Sequence, residues 1–405
     1  MVVLRAFKAI RPEQKLAQDV ATLPYDVLSS EEARQLGQDN PYSFLHIDKS
    51  EIDLPPELDH HDDQVYQQAL SALTAFLAKG WLKKADQNQF YLYELTMDGR
   101  TQTGIVGTTA VSDYENGLIK RHEYTLPEKE QDRIRHFEAT QSNTSPIFLT
   151  YRSQENIQKI MSDWKNQHQA EVDFVSFYGV RHRVFVIDDK AVIASLEKAF
   201  TAVPALYIAD GHHRTASAAK VGKMLDSTEA QYFLSVIFPD DELEILDYNR
   251  VVKTALPSDF WTQVAQKFDI EPVKKSKPAG KHQIHAFTKA EGWQKLTVKA
   301  EKVSNDEVNS LDVAILQNEI LAPLLQIDNP KTNPNIAFVG GIRGIDALEK
   351  EVNAGASIAF AMFPPAMEEL LAVADAKKIM PPKSTWFEPK LLSGLFLHDL
   401  NDKKK

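Results

Sequence analysis

The hydrophobic and polar positions of the chain change period repeatedly, and those changes predict its elements. In QFYLYELTMDGRTQTGIVGTTAV (89–111), two runs rich in Tyr, Thr, Val and Ile flank Asp98-Gly99. Two β-runs around an Asp-Gly dipeptide predict a hairpin. In DQVYQQALSALTAFLAKG, the residues Val65, Leu70, Leu73, Phe76 and Leu77 fall largely on one helical face, and Gly80 supplies the C-cap. Residues 3–9 predict a strand, and the chain is then loop-like until Ser29 and Ser30. There, Ser followed by acids starts a helix that Gly37 stops. FLHID (44–48) predicts a strand. Pro127 followed by Glu128 and Glu130 suits a helix N-terminus, and PIFLTY (146–151) reads as a strand. Helices near 154–166, 190–199 and 214–224 alternate with strands near 171–178, 183–187 and 205–209. YFLSVIF (232–238) and LEILDY (243–248) predict a second hairpin, and KKSKPAG (274–280) a linker. Beyond it come further strands, a helix at about 309–319, the strand IAFVGG (336–341) leading into a helix, the strand ASIAFAMF (356–363), a helix near 366–375 and a final strand near 391–398. The expected class is mixed α/β (α+β): mixed sheets with hairpins and flanking helices. The expected division is an N-terminal domain over 1–152, a central domain over 153–278 and a C-terminal domain over 279–405.

Composition narrows the function. A chain of 405 residues predicts two or three domains. A net charge of -11 argues against nucleic acid as a partner, because neutralising phosphates takes clustered Lys and Arg. The absence of cysteine rules out disulfides, thiolate nucleophiles and Cys-based metal sites. The N-terminal apolar patch is broken by Arg5 and Lys8, and no stretch nears the ~20 apolar residues of a membrane span. A cytoplasmic protein, with NDKKK (401–405) as a solvated tail, is the expectation.

The densest chemistry lies in LYIADGHHRTASAAK (206–220). An apolar strand ends at an acid, a glycine, two histidines and an arginine, and a small-residue helix follows. A strand–glycine–helix turn aims backbone N–H groups and the helix dipole at one spot. Gly211 can take an unusual φ and let a ligand approach the backbone. His212, His213 and Arg214 add donors, so the turn is a candidate phosphate cradle. Asp210 is useful there if it holds Mg²⁺ or orients a hydroxyl. The competing reading makes Asp210 a helix cap, His212 an exposed side chain and His213 a space filler.

The D-G-H-H-R segment after a strand resembles the signature of the ParB/sulfiredoxin-like superfamily, and the free-serine kinases within it carry a closely similar segment. A wider resemblance covers nearly the whole chain. It runs through RP (11–12), LPYDVLSSEEAR (23–34), NPYSFLHID (40–48), GIVGTTAVSDYENGLIKRHEYTLPEKEQDR (104–133), ADGHHR (209–214) and MPPKSTWFEPKLLSGL (380–395). These segments resemble the prokaryotic family called domain of unknown function 1015. The resemblances imply a ParB/sulfiredoxin-like phosphate site at the turn, and serine or phosphoserine as the substrate class.

Four other constellations bear on chemistry. KRHEYTLPEKEQDR (120–133) mixes both charge signs with a hydroxyl. Such a run is either a solvated helix face or part of a phosphoryl-transfer site. In the second reading Glu123 is the base, and Lys120 and Arg121 contact anions. LPYDVLSS (23–30) holds Tyr25 and Asp26 behind Pro24, as an Asx-type turn or as substrate contacts. In MPPKSTWFEPK (380–390), two prolines expose Lys383, Ser384 and Thr385, and Lys383 either reaches an anion or belongs to a structural clasp. VGGIRG (339–344) lacks both the dinucleotide fingerprint and the P-loop lysine, so close packing is the expected reason for its glycines. No zinc is expected, because H-E-x-x-H is missing and the adjacent His212 and His213 would point apart on a helix.

The leading expectation is a nucleotide-dependent phosphotransferase on a small hydroxylated metabolite, free L-serine or O-phosphoserine, using Mg²⁺ with ATP or ADP. Asp210, Glu123 and His212 are the expected catalytic residues, and Asp210 is also the expected metal ligand. Gly211, His213, Arg214, Lys120, Arg121 and Lys383 are expected to bind the nucleotide. A phosphoserine phosphatase-like hydrolase and a ParB-like nucleotide-binding regulator without metabolite turnover are the alternatives.

Overall fold

The computed structural model describes residues 1–176 and 178–401, so Phe177 in the expected strand 171–178 and residues 402–405 of the expected tail lie outside the described residues. The described chain forms two compact units, each assembled from segments distant in sequence. The first takes Met1–Lys120, Tyr124–Leu243 and the chain from Pro389, and the second takes Arg121–Glu123 and Glu244–Glu388. This partition differs from the three consecutive segments set out above.

The first unit is built on a nine-stranded mixed sheet. Its strands are β1 (Leu4–Arg5), β2 (Phe90–Met97), β3 (Arg100–Ala110), β4 (Ile119–Lys120), β5 (Ile147–Tyr151), β6 (Val172–Val175), β7 (Arg181–Ile187), β8 (Leu206–Asp210) and β9 (Tyr232–Pro239). Their order is β4-β8-β5-β9-β3-β2-β7-β6, with β1 on β3. The pairs β4/β8 and β5/β9 are parallel and the rest antiparallel. Asp98 (φ 51) and Gly99 (φ 81) are both left-handed, as a two-residue primed turn requires, so β2 and β3 form the expected hairpin. Six helices of eight residues or more accompany this sheet: α1 (Ser30–Gly37), α2 (Asp63–Ala78), α3 (Pro127–Thr140), α4 (Glu155–Gln167), α5 (Lys190–Phe200) and α6 (His212–Met224). Ser29 and Glu32 form a capping box at α1. The core gathers Phe90, Ile105, Ile147, Leu149, Ile208 and Phe233, all essentially inaccessible, each such side chain contributing about 1.5–3 kcal/mol.

The second unit holds a six-stranded antiparallel sheet of β10 (Tyr248–Val252), β11 (Phe268–Pro272), β12 (Gln283–Thr288), β13 (Gly292–Val298), β14 (Ile336–Gly340) and β15 (Ile358–Met362). The order is β11-β13-β12-β15-β10-β14, accompanied by α7 (Asp346–Asn353) and α8 (Met367–Asp375). Of the three glycines of VGGIRG, Gly340 and Gly341 do serve close packing, whereas Gly344 is left-handed (φ 72) with open space where a Cβ would stand. A Cβ on Gly340 would sit 2.9 Å from the Trp386 ring, and one on Gly341 2.4 Å from Asp247.

Four expectations are corrected. Residues 45–48 form a helical turn instead of a strand. Asn40 accepts the Ser43 and Tyr42 amides, Ser43 Oγ accepts the Leu45 amide, and Phe44 and Ile47 then enter one apolar cluster three residues apart. The runs 232–238 and 243–248 make no hairpin: β9 spends both edges on β3 and β5, while Ile245–Leu246 pairs with Trp386–Phe387. KKSKPAG connects β11 to β12 within one sheet, and Lys277 there pairs with Asp247 at 2.7 Å. The C-terminal run is buried but mostly irregular, with bridges at Ser393 to Thr22 and Leu397 to Ile10 and a short strand only at His398–Asp399. Among the described residues, no helix is long and apolar enough to cross a membrane.

Candidate functional site

The turn at Asp210 has the geometry its residues suggest. β8 ends at Asp210, and Gly211 is left-handed (φ 99, ψ 30) at the N-cap of the thirteen-residue helix α6. A Cβ on Gly211 would meet the Arg214 guanidinium at 3.2 Å, so both the backbone conformation and the space favour glycine. The Gly211 carbonyl accepts from the Thr215 amide and hydroxyl. The first-turn amides of α6 have no partner within the helix itself. The small residues Ala216, Ser217, Ala218 and Ala219 are all buried, which lets α6 lie close to α3. There, Ser217 Oγ donates to the Glu130 carbonyl at 2.9 Å, and Lys220 pairs with the Glu130 carboxylate.

The polar atoms at the turn are held by named partners. Asp210, about one-third exposed, faces Lys390 Nζ at 3.4 Å and Arg214 Nη2 at 3.8 Å. Burial disfavours its charge, but Lys390, Arg214 and His212 outweigh burial and hold its pKa well below the usual carboxylate range. Arg214 is buried, and its Nη1 donates to the Pro146 carbonyl. Burial disfavours the guanidinium charge, and Asp26, Asp210, Tyr25 and Asp48 more than offset this, so its pKa is raised. His213 Nε2 accepts from the Leu126 amide at 3.0 Å, which leaves Nδ1–H as the donor edge of the neutral ring. Lys120 lies on β4 in register with Tyr207 of β8, its Nζ 5.6 Å from that ring.

A buried charge network extends this site. Arg133 stacks over the Tyr25 ring at 3.8 Å and donates to Asp132 at 2.9 Å and to Asp48 at 3.5 Å. Asp48 also accepts from Thr144 (3.0 Å), Ser145 (2.8 Å) and Ser393 (2.9 Å). Burial opposes ionisation of Asp48, yet Arg133 and these hydroxyls lower its pKa. Burial and the Asp26 charge push the Tyr25 hydroxyl far above the ordinary phenol value. LPYD (23–26) therefore belongs electrostatically to the Arg133 and Arg214 neighbourhood.

The structure brings together Asp210, Gly211, His212, His213, Arg214 and the strand carrying Lys120 in the first unit. Arg121, Glu123 and Lys383 belong to the second unit. There, His122 accepts the Met380 amide at its carbonyl, and Lys383 is exposed and left-handed (φ 57) with Nζ 5.7 Å from the Tyr248 ring. Ser384, expected to be exposed, is buried because its hydroxyl turns inward onto the Pro381 carbonyl at 2.6 Å. Sequence reasoning missed Lys390 and Asp48. Lys390 ends the same Pro-rich segment as Lys383, seven residues on, and Asp48 was hidden inside an apparent strand. Among the described residues, no cluster of three or more His, Asp or Glu side chains could hold a metal ion.

The fold and site define a mixed α/β protein whose chemistry collects at a strand–glycine–helix turn. A protein-family profile described as "Protein of unknown function (DUF1015)" matches residues 4–314, and the chain belongs to that family. No curated protein matches. Among solved structures, the chain is similar to a free serine kinase mutant in complex with AMP, at 12% identity and a TM-score of 0.38, over 70% of this chain and 87% of that one. It is also similar to SbnI with a C-terminal truncation from Staphylococcus aureus (12%, TM-score 0.40, 71% and 85%). A conserved hypothetical protein from Pyrococcus furiosus is a third (13%, TM-score 0.36, 71% and 93%).

Proposed function

We propose that the protein is a nucleotide-dependent phosphotransferase acting on a small hydroxylated metabolite, free L-serine or O-phosphoserine. One observation carries this reading: a left-handed glycine at the N-terminus of a thirteen-residue helix, flanked by His212, His213 and the acid–cation cluster of Asp210, Arg214 and Lys390. Amides at a helix N-terminus bind phosphate through N–H donors and the helix dipole. In this reading the backbone from Gly211 to Arg214 cradles phosphate oxygens, and the side chains of His212 and His213 donate to them. Lys120, on β4 beside the turn, adds a cationic contact, and His212 assists at the phosphoryl group as the substrate hydroxyl attacks. Asp210 orients that hydroxyl or a Mg²⁺ ion. No second and third protein ligand accompanies Asp210 among the described residues, so Mg²⁺ fits as a nucleotide complex and not as a resident ion. When bound, ATP supplies the phosphoryl group and ADP accepts it in reverse.

Phosphorus NMR of the purified protein with Mg²⁺ and O-phosphoserine, with and without ADP, tests the reading. ATP is expected in the ADP tube alone. Free phosphate without ADP would establish the hydrolase instead. ADP binding with no conversion of phosphoserine would leave a nucleotide-binding regulator.

A further inference from the structure

The network around Asp48 and Arg133 borders a cavity of about 140 Å³ in the first unit that the phosphate turn does not use. A water molecule takes about 30 Å³ of liquid, so the cavity has room for about four or five waters, or a molecule of amino-acid size. A nucleotide needs several times that volume. Three carboxylates (Asp48, Glu51 and Asp132) line it against two cations (Lys49 and Arg133). The carboxylates therefore outnumber the Lys and Arg side chains of the lining by one.

The polar atoms show where a ligand would bind. Glu51 is mostly buried, and it holds Lys49 at 3.1 Å and the Ser30 hydroxyl at 2.7 Å. Asp132 accepts from the Tyr66 hydroxyl at 2.9 Å. His136 lines the same cavity and is 97% buried, since its relative exposure is 3%. Its Nε2–H donates to the Ile47 carbonyl at 2.9 Å. Burial and the Arg133 charge keep the ring neutral, and its Nδ1 is a buried acceptor with no hydrogen-bond partner among the described residues.

We infer that this cavity binds a small primary ammonium compound of amino-acid size, with its N–H donors shared between the Glu51 and Asp132 carboxylates. An anion such as inorganic phosphate would add charge of the sign already in excess. The cavity also communicates with the turn. Asp48 accepts from Ser145, and the next residue, Pro146, accepts from Arg214. The inference rests on the phosphotransferase reading in one respect, that the bound amine is the phosphoryl acceptor.

The test is isothermal titration calorimetry on the full chain with three probes of similar size: L-serine, ethanolamine and glycerate. Both amines are expected to bind, and glycerate about thirtyfold or more weaker, the scale of a lost buried charge pair. Glu51→Gln is expected to weaken both amines similarly, with circular dichroism verifying its fold. Comparable binding of glycerate, or no binding of either amine at millimolar concentration, overturns the inference with the wild-type protein alone. Mg²⁺-ADP titrated in parallel separates the two claims: ADP binding without amine binding defeats this inference and spares the nucleotide reading, and amine binding without ADP binding does the reverse.

Discussion

Gly211 and Asp210 show how much one residue decides. Gly211 combines a φ of 99° with a place 3.2 Å from the Arg214 guanidinium. Gly211→Ala is expected to cost about 1–3 kcal/mol from backbone strain, read as a lower urea midpoint, and to weaken nucleotide binding by moving the turn. Asp210 has a depressed pKa because Lys390, Arg214 and His212 overcome burial. A carboxylate depressed in the folded state contributes stability above its unfolded pKa of about 4, and that stability is lost as pH falls through the folded value. Asp48 and Asp132 shift in the same direction. The melting temperature is therefore expected to fall below about pH 4, and more gently in Asp210→Asn. If Asp210 only caps the helix, Asp210→Asn keeps full activity; the proposed role predicts a loss of about tenfold or more, the scale of a positioned acid or base.

Between elements, Asp48 is the joint. Its carboxylate ties the helical turn 45–48 to Arg133 on α3, to Thr144 and Ser145 before β5, and to Ser393 in the C-terminal run. Asp48→Ala would leave the Arg133 charge buried with Asp132 as its remaining carboxylate partner, a cost of about 3–5 kcal/mol. Chemical denaturation should show that loss, with Asp48→Asn intermediate because the amide still accepts hydrogen bonds. Part of this was legible. The Ser29–Glu32 capping box, the Asp98-Gly99 hairpin and the strand–turn–helix at Asp210 are local chemistry acting within a few residues. The turn at 45–48 was not, because FLHID alternates like a strand and the Asn40 and Ser43 side chains decide it otherwise.

At the scale of the molecule, the first unit is completed by a segment from the far end of the chain. Ser393 bridges Thr22, Leu397 bridges Ile10, and the strand at His398–Asp399 pairs with Ser142–Asn143. Lys390 reaches Asp210 from the same segment. Truncation after Glu388 is therefore expected to abolish cooperative unfolding of the first unit and leave the β10–β15 sheet as the remaining folded signal, measurable by hydrogen exchange. An unchanged protection pattern in β2, β3 and β9 would contradict this.

The sequence by itself determined the mixed α/β class, the hairpin, most of the helices and the left-handed turn at Gly211. Each depends on periodicity or on a residue type with a local conformational preference. It also pointed to the family, through motifs spread along the chain. Tertiary structure alone decided that β9 lies between β3 and β5, that Asp48 and Arg133 share a buried network, and that Lys390 faces Asp210. Those pairings join residues 85–180 positions apart. Buried charges select their partners by where the folded backbone brings them, and no local pattern encodes that distance.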